Sequence, residues 1–280
     1  MEKRVYTPHS NIRKPWLMLA EMLSDIKKGQ DLALRLTIRD IKALYRQSFL
    51  GLLWAFIIPL GNTVTWIFLN GTGIVSMGDT GIPYPIYVFT GTMIWSVFSE
   101  SLLAPIKKIT ANKTTIAKVN FPREAIIMSA IYESIFNALI KILILVAAVA
   151  FMGYSGSWTL LLLPVAILSI VLAGTSLGLV LAPIGTLYTD ISKGLPLILQ
   201  FLMYTTPVVY AIPDEGLTAK IINNNPLTPL ICTARDWLTG QPTAFLDGFF
   251  WVNLGTLILF LLTMVAFRLA VPILVERMNA

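Results

Sequence analysis

Apolar stretches of membrane-spanning length recur along this chain and determine its architecture. No charged residue occurs between Gln47 and Gly78, and comparable charge-poor stretches follow five more times. A helix of about 20 residues rises about 1.5 Å per residue and so spans the roughly 30 Å hydrocarbon core of a bilayer. The pattern therefore predicts an all-α polytopic membrane protein. The six predicted transmembrane helices cover residues 50–69, 85–104, 132–151, 160–181, 194–210 and 251–269.

The composition agrees with this pattern and narrows the classes of protein that fit it. Of the 280 residues, 56% are apolar and 13% are charged, and the mean hydropathy is +0.74. Spans of this length leave no room for a large soluble core. The single cysteine, Cys232, excludes an intrachain disulfide, and the single histidine, His9, excludes a metal site built from histidines. We expect neither a metal nor a cofactor.

The distribution of Lys and Arg predicts the orientation of the chain in the membrane. Eighteen of the 21 lie on the side of the N terminus, two (Lys220 and Arg235) lie on the opposite side, and Lys141 lies inside the third span. Because cytoplasmic segments are enriched in Lys and Arg, both termini are predicted to face the cytoplasm. The net charge of +6 then reflects membrane anchoring rather than nucleic-acid binding.

The first 49 residues are predicted to form two surface helices. The first begins at Pro15 and ends before Gly29, and the second begins at Asp31. Apolar and basic residues fall on opposite sides of the second helix, which is typical of an amphipathic helix in the membrane interface. Such a helix is either a passive anchor or a gate at the cytoplasmic mouth, since it runs directly into the first span. Its basic side consists of Arg35, Arg39, Lys42 and Arg46.

Residues 104–124 form the one substantial loop predicted on the cytoplasmic side. Pro105 is predicted to begin a short helix, and Pro122 interrupts the chain before the third span. A short basic, amphipathic helix held between two spans is suited to docking a soluble partner, and a solvated turn is the simpler interpretation. The predicted contact residues are Ile106, Lys107, Ile109, Lys113, Ile116 and Lys118.

Residues 211–250 form a long loop predicted on the external side. The Asn-Asn-Asn-Pro run at residues 223–226 marks a break, and Thr228 and Pro229 can begin a helix after it. Residues 217–222 are predicted to form a partner helix. We interpret the two as re-entrant helices that dip into the outer leaflet, with an ordinary external loop as the alternative.

Polar and small residues inside the predicted spans suggest specific contacts. Glu133, Asn137 and Lys141 lie at positions i, i+4 and i+8 of the third span, and charges within spans are functional hypotheses because the bilayer disfavours them. For Lys141 two interpretations are open, a structural ion pair and the lining of a wet cavity. Gly174 and Gly178 in the fourth span permit close helix approach, either within the chain or between two copies.

The sequence lacks the short motifs that indicate nucleotide binding or catalysis. It contains no Gly-x-x-x-x-Gly-Lys-Ser/Thr phosphate-binding loop, no His-Glu-x-x-His and no Gly-x-Ser-x-Gly. We therefore expect no enzymatic activity of its own. Active transport would require energy from another chain.

Aromatic residues are concentrated in the first and fifth predicted spans. Flat rings provide stacking faces for sugars, and Tyr and Trp add a polar group. Packing or membrane-belt roles are the simpler interpretation, and the four rings of the first span do not share one helical face. The candidates for a channel lining are Trp54, Phe56, Trp66, Phe68, Tyr204 and Tyr210.

Several stretches resemble the membrane subunits of ABC-2 type polysaccharide exporters, which export O-antigen, capsule or teichoic acid chains. Residues 38–54 are similar to the segment that leads into the first span of that family. Residues 118–124 (KVNFPRE) are similar to its segment between the coupling helix and the third span. Asp190, residues 207–210 (PVVY) and residues 225–230 (NPLTPL) resemble its C-terminal half.

The resemblance implies a bacterial inner-membrane permease that works as a homodimer with two ABC ATPase subunits. Its substrate would be an undecaprenyl-pyrophosphate-linked polysaccharide that passes through a channel lined partly by aromatic residues. Residues 106–120 would form the coupling helix, residues 31–46 the interface or gate helix, and the helix pair after Tyr210 the external gate.

The implied organisation is an interfacial segment at residues 1–49, a transmembrane domain at residues 50–271 and a cytoplasmic tail at residues 272–280. Two rival functions remain at this stage. One is an exporter of small molecules or lipids with the same general fold, and the other is a membrane-embedded glycan enzyme.

Overall fold

The computed structural model describes residues 15–46, 51–74, 78–119, 121–154 and 157–279, and every regular element in these ranges is helical. The all-α prediction is confirmed. His9 and the junction at residues 47–50 lie outside the described residues. The α-helices are α1 (Pro15–Arg46), α2 (Trp54–Gly71), α3 (Tyr84–Ala111), α4 (Lys113–Lys118), α5 (Glu124–Phe151), α6 (Leu163–Leu187), α7 (Thr189–Met203), α8 (Leu217–Asn224), α9 (Leu227–Thr239) and α10 (Leu246–Asn279).

Four stretches within these ranges are long and apolar enough to cross a membrane, as expected of a multi-pass membrane protein. They correspond to the second, third, fourth and sixth predicted spans, and a shorter apolar helix, Phe56–Gly71, corresponds to the first. The four stretches are Tyr84–Ala111, Glu124–Phe151, Trp158–Leu187 and Leu246–Pro272.

The predicted end of the fifth span at Tyr210 is wrong, because α7 has 15 residues and ends at Met203. Local chemistry explains the early end. The hydroxyls of Thr205 and Thr206 both donate to the carbonyl oxygen of Leu202, at 2.9 and 3.0 Å, and so compete with the backbone hydrogen bonds of a continuing helix. Pro207, which has no N–H group, then excludes a further helical turn.

The predicted break at Gly29 is also wrong, because α1 is a single helix of 32 residues. Gly29 is buried, and a Cβ atom at this position would lie 3.2 Å from Cβ of Ala125 in α5. The glycine therefore allows close packing of α1 on α5 rather than ending the helix. Thr37 extends the same contact, since its Oγ1 lies 3.1 Å from Oγ of Ser129.

Pro105 does not begin a helix, contrary to the prediction, but lies inside α3. The side chain of Pro105 is buried, and its Cδ would lie 3.2 Å from a Cβ built at Gly178 of α6. Packing against α6 thus holds the last turns of α3 in helical form. The short helix of the predicted loop is α4, which follows α3 after Asn112.

Helices α3 and α6 pack closely against each other, and two glycines of α6 permit this approach. A Cβ built at Gly174 would lie 2.7 Å from the carbonyl oxygen of Phe98, and one at Gly178 would lie 2.2 Å from that of Leu102. Both distances are far below van der Waals contact. The Gly174–Gly178 pair therefore packs against α3 within the chain.

Replacing Gly178 with Ala should destabilise the protein, because α6 would have to move away from the backbone of α3. We expect a loss of about 1–3 kcal/mol in the free energy of unfolding, as for overpacked cores. The thermal unfolding temperature of the purified protein in detergent measures this loss.

Gly61→Ala is the matched control, since Gly61 lies within α2 and a Cβ there meets no described atom within 4 Å. This variant should keep or raise the unfolding temperature, because alanine favours helix over glycine. Equal unfolding temperatures for both variants would contradict the close packing of α3 on α6.

Candidate functional site

Buried ion pairs connect α1, α3 and α5 at the end of the bundle that carries α4. Nζ of Lys108 in α3 lies 2.5 Å from Oδ2 of Asp40 in α1 and also contacts the carboxylate of Glu133 in α5. The side chain of Lys108 is 7% exposed, so its charge depends on these two partners. Nε of Arg39 lies 2.7 Å from Oδ1 of Asp40. Although burial alone would raise the pKa of Asp40, the cations of Arg39 and Lys108 hold it below its usual value.

Asn112 extends this cluster to the junction between α3 and α4. Its Oδ1 accepts a hydrogen bond of 3.2 Å from Nη2 of Arg39, and its Nδ2 donates to the carbonyl oxygen of Lys108 at 2.8 Å. The amphipathic helix α1 is therefore bonded directly to the segment that leads into α4. We call Arg39, Asp40, Lys108, Asn112 and Glu133 the junction cluster.

A second buried cluster surrounds Arg268 of α10. Its Nη1 donates to Oε1 of Glu124 at 2.7 Å, and its Nη2 lies 3.0 Å from Oδ2 of Asp25 and 3.6 Å from Oε2 of Glu21. The cluster joins α10 to the first turn of α5 and to α1. Sequence reasoning used Arg268 only as an orientation signal. The available signal was Asp25, a carboxylate on the apolar side of α1 between Met22 and Ile26.

Lys141 forms a structural ion pair, which was one of the two interpretations left open. Its Nζ lies 2.5 Å from Oε1 of Glu100 and donates to Oγ of Ser96 at 2.9 Å, both in α3. The Lys141 side chain is 3% exposed. The charged residues of the α5 stripe, Glu133 and Lys141, thus both contact α3.

At the opposite end of α3, the non-helical segment after α7 is held by hydrogen bonds from side chains. Nη2 of Arg235 in α9 donates to the carbonyl oxygens of Pro207 and Val208, at 3.0 and 2.9 Å. The hydroxyl of Tyr87 donates to the carbonyl oxygens of Pro207 (3.2 Å) and Tyr210 (2.8 Å). Irregular backbone at membrane depth requires such internal partners.

The structural part played by Arg235 was not expected from the sequence, which had marked it only as a cation on the external side. It is only 3% exposed, and its guanidinium carbon lies 3.7 Å from the centroid of the Tyr87 ring. Gly91 provides the space, since a Cβ there would lie 2.1 Å from the carbonyl oxygen of Val208 and 2.4 Å from Nη2 of Arg235. The available signal was a lone cation on the apolar helix α9.

The six aromatic candidates do not gather into one site. Trp66 packs edge-on against Tyr204 with ring centroids 6.0 Å apart, and the hydroxyl of Tyr210 donates to the carbonyl oxygen of Tyr204 at 2.6 Å. Phe56 packs instead on Phe89 of α3, at 5.9 Å. The two remaining rings, Trp54 and Phe68, are exposed in the single chain.

The predicted docking residues divide into a buried set and an exposed set. Ile106, Ile109 and Ile116 are buried in the core of the chain itself, so their assignment to direct contact with a partner is corrected. Lys113 is partly buried, and its Nζ donates to the carbonyl oxygen of Thr186 at the end of α6 (2.6 Å). The exposed residues of this segment are Lys107, Thr110, Ala111, Thr114, Thr115, Lys118 and Val119.

The basic side of α1 is exposed, as predicted for an interfacial helix. Arg35, Lys42 and Arg46 are exposed and have room to contact lipid headgroups or a partner. Arg39 differs, because it also belongs to the junction cluster. Among the described residues, no group of three or more His, Cys, Asp or Glu side chains is placed to hold a metal ion.

Comparison with known proteins assigns this arrangement to a family. Residues 32–239 match the ABC-2 type transporter family. The chain is 27% identical over 217 residues to the O-antigen export system permease protein RfbA of Myxococcus xanthus. The aligned region covers 76% of this chain and 82% of that protein. The chain is also 26% identical over 211 residues to RfbA of Klebsiella pneumoniae, covering 74% and 79%. The chain belongs to the ABC-2 type transporter family.

Proposed function

We propose that this permease works as a homodimer with two copies of a separate ABC ATPase and exports an undecaprenyl-pyrophosphate-linked polysaccharide. Its location is the bacterial inner membrane, with both termini in the cytoplasm. The family match over residues 32–239 carries the proposal, because it includes both predicted coupling and gate segments. The absence of a phosphate-binding loop from the sequence supports a separate ATPase. The excess of Lys and Arg on one side supports the orientation.

We propose further that the exposed surface of α4 docks the ATPase. The buried residues Ile109 and Ile116 anchor the segment to the bundle, and the Lys113 bond to the end of α6 fixes it from the other side. Thr114 and Lys118 are exposed residues of α4. A partner that moves α4 would therefore move the ends of α3 and α6 with it.

The double variant Thr114→Glu/Lys118→Glu should lose the ATPase during co-purification. An unpaired charge buried in the contact costs several kcal/mol, roughly 3–5, and both side chains are exposed in the single chain, so folding should not suffer. Affinity purification followed by an ATPase assay measures the loss.

Thr218→Glu/Lys220→Glu is the matched control, because these exposed residues of α8 lie on the proposed external side. This control should keep full complex formation and activity. If the α4 variant also keeps both, α4 is not the docking surface.

The junction cluster is proposed to transmit movement from α4 to the gate helix α1. Lys108 and Asn112 belong to the last turns of α3 and its junction with α4, whereas Arg39 and Asp40 belong to α1. The bonds between these residues connect the docking segment to α1 without an intervening flexible loop.

Asp40→Asn should lower the unfolding temperature at pH 7, because Lys108 and Arg39 lose a charged partner. We expect the free energy of unfolding to fall by about 1–3 kcal/mol, which is typical when a charged group loses a hydrogen-bond partner. The folded state lowers the pKa of Asp40 below the ordinary 3.8, so this stabilisation is present above that pH. It should disappear as the pH falls through the lowered pKa.

Asp31→Asn is the matched control, since Asp31 is exposed on the same helix. It should leave the unfolding temperature unchanged across the pH series. A wild-type advantage over Asp40→Asn that persists when the carboxyl group is protonated would contradict the ionic role of Asp40.

The exposed aromatic rings of α2 are proposed to line the polysaccharide channel. Phe68 is 65% exposed in the single chain, so its ring is accessible to a ligand. Stacking of sugar rings on such a residue would guide the polymer with little entropic cost.

Phe68→Ala should slow export about two- to tenfold, the effect of one aromatic contact of about 0.5–1.5 kcal/mol, and should leave the unfolding temperature unchanged. Phe250→Ala is the matched control, because Phe250 is 64% exposed but lies in α10. Pulse labelling of surface polysaccharide measures export. Equal export rates in the two variants would show that Phe68 does not line the channel.

A further inference from the structure

A cavity of about 300 Å³ lies beside Arg235, at the end of α3 opposite α4. Its walls come from α9, from the loop before α3, from Tyr87 within α3 and from the loop before α10. The residues that matter for its chemistry are Arg235, Asp236, Gln241, Phe245 and Tyr87. Arg235, Asp236, Gln241 and Phe245 lie in the segment predicted to form the external gate, and none of the five was singled out as a docking or channel residue.

The cavity is lined by two residues of opposite charge, Arg235 and Asp236. Arg235 is buried and bonded to the carbonyl oxygens of Pro207 and Val208, and its Nε has no hydrogen-bond partner among the described residues. Burial raises the pKa of the Asp236 carboxyl to about 6, with the Arg235 cation and the backbone N–H of Ala244 acting against this rise. The neighbouring Arg235 cation favours the ionised form of this carboxyl group.

This pair of charges selects a neutral, hydroxyl-rich ligand. An anion would meet the Asp236 carboxylate, and a cation would meet the Arg235 guanidinium. Hydroxyl groups satisfy both, because they donate to a carboxylate and accept from an N–H group. The side-chain amide of Gln241 can both donate and accept hydrogen bonds, and the ring of Phe245 can pack against the apolar face of a sugar.

We propose that this cavity binds one sugar residue of the exported polysaccharide, with Asp236 accepting hydrogen bonds from its hydroxyl groups. The volume lies at the lower end of ligand pockets, roughly 300–1,000 Å³, so it suits a single sugar ring rather than an oligosaccharide. The proposal rests on the proposed orientation, in which this end of the bundle is external. The bound sugar would contact α9, which holds the irregular segment at residues 207–210 through Arg235.

Saturation-transfer NMR on the whole complex in lipid nanodiscs tests the proposal. The probes are the methyl glycosides of mannose, galactose, rhamnose and N-acetylglucosamine, with inorganic phosphate as the anionic probe. At least one glycoside should receive saturation from the wild type. Asp236→Asn should weaken that binding about tenfold, the effect of losing a hydrogen bond to a charged group, and Gln241→Ala about threefold to tenfold.

Asp214→Asn is the matched control, because Asp214 is an exposed carboxylate on the same side. It should bind the glycoside as the wild type does. Unfolding temperatures, and ATPase retained in the same samples, separate misfolding and loss of the complex from loss of sugar binding. Gln241→Ala, which is remote from the Arg235 bonds, keeps the test valid if Asp236→Asn fails to fold.

Three results would overturn the assignment. The first is that no glycoside receives saturation from the intact complex, and the second is that Asp236→Asn and Gln241→Ala bind as the wild type does. The third is that phosphate binds and binds more tightly to Asp236→Asn, because the cavity would then be an anion site. Failure of the α4 variant to lose the ATPase would contradict the docking proposal alone, because the cavity lies at the opposite end of α3.

Discussion

Polar groups inside a membrane protein must find partners within the protein, and α3 supplies such partners at three levels. Along its length, Tyr87 donates to the irregular segment after α7, Glu100 pairs with Lys141 of α5, and Lys108 binds α1 and α5. In a bilayer, an unpartnered group at any of these levels would cost several kcal/mol. The polar residues of α3 therefore help to position α1 and α5, together with the Arg268 cluster, and Tyr87 also contacts Arg235 of α9.

The same helix connects the two ends of the molecule. Its last turn leads into α4 and contributes to the junction cluster. In its first turns, Tyr87 donates hydrogen bonds to carbonyl oxygens of residues 207–210, and Arg235 of α9 donates to the same segment. At the middle turns of α3, Gly174 and Gly178 allow the backbones of α3 and α6 to approach more closely than any larger residue would permit. A displacement of α4 would be transmitted through a rigid, well-packed helix to the region beside α9. The proposed function would use this connection, with energy supplied at the end that carries α4 and substrate leaving at the other.

The sequence predicted the features that depend on hydropathy, and failed where tertiary packing decides the local conformation. The four long apolar helices and the basic face of α1 were predictable, because bilayer thickness and charge asymmetry act on composition alone. Gly29 and Pro105 were wrongly taken as helix boundaries, since their contacts with α5 and α6 override local propensity. The burial of Ile109, Ile116 and Arg235 depends on neighbours distant in sequence, so no periodic pattern could reveal it.

The central claim is that this chain forms a polysaccharide pathway and depends on a separate ATPase for energy. Reconstitution of the purified chain into proteoliposomes, with and without the ATPase, tests this claim by the ATP-dependent translocation of radiolabelled lipid-linked polysaccharide. ATP hydrolysis and translocation are expected only when both proteins are present. ATP hydrolysis by the purified chain alone, or equal translocation without the ATPase, would contradict it.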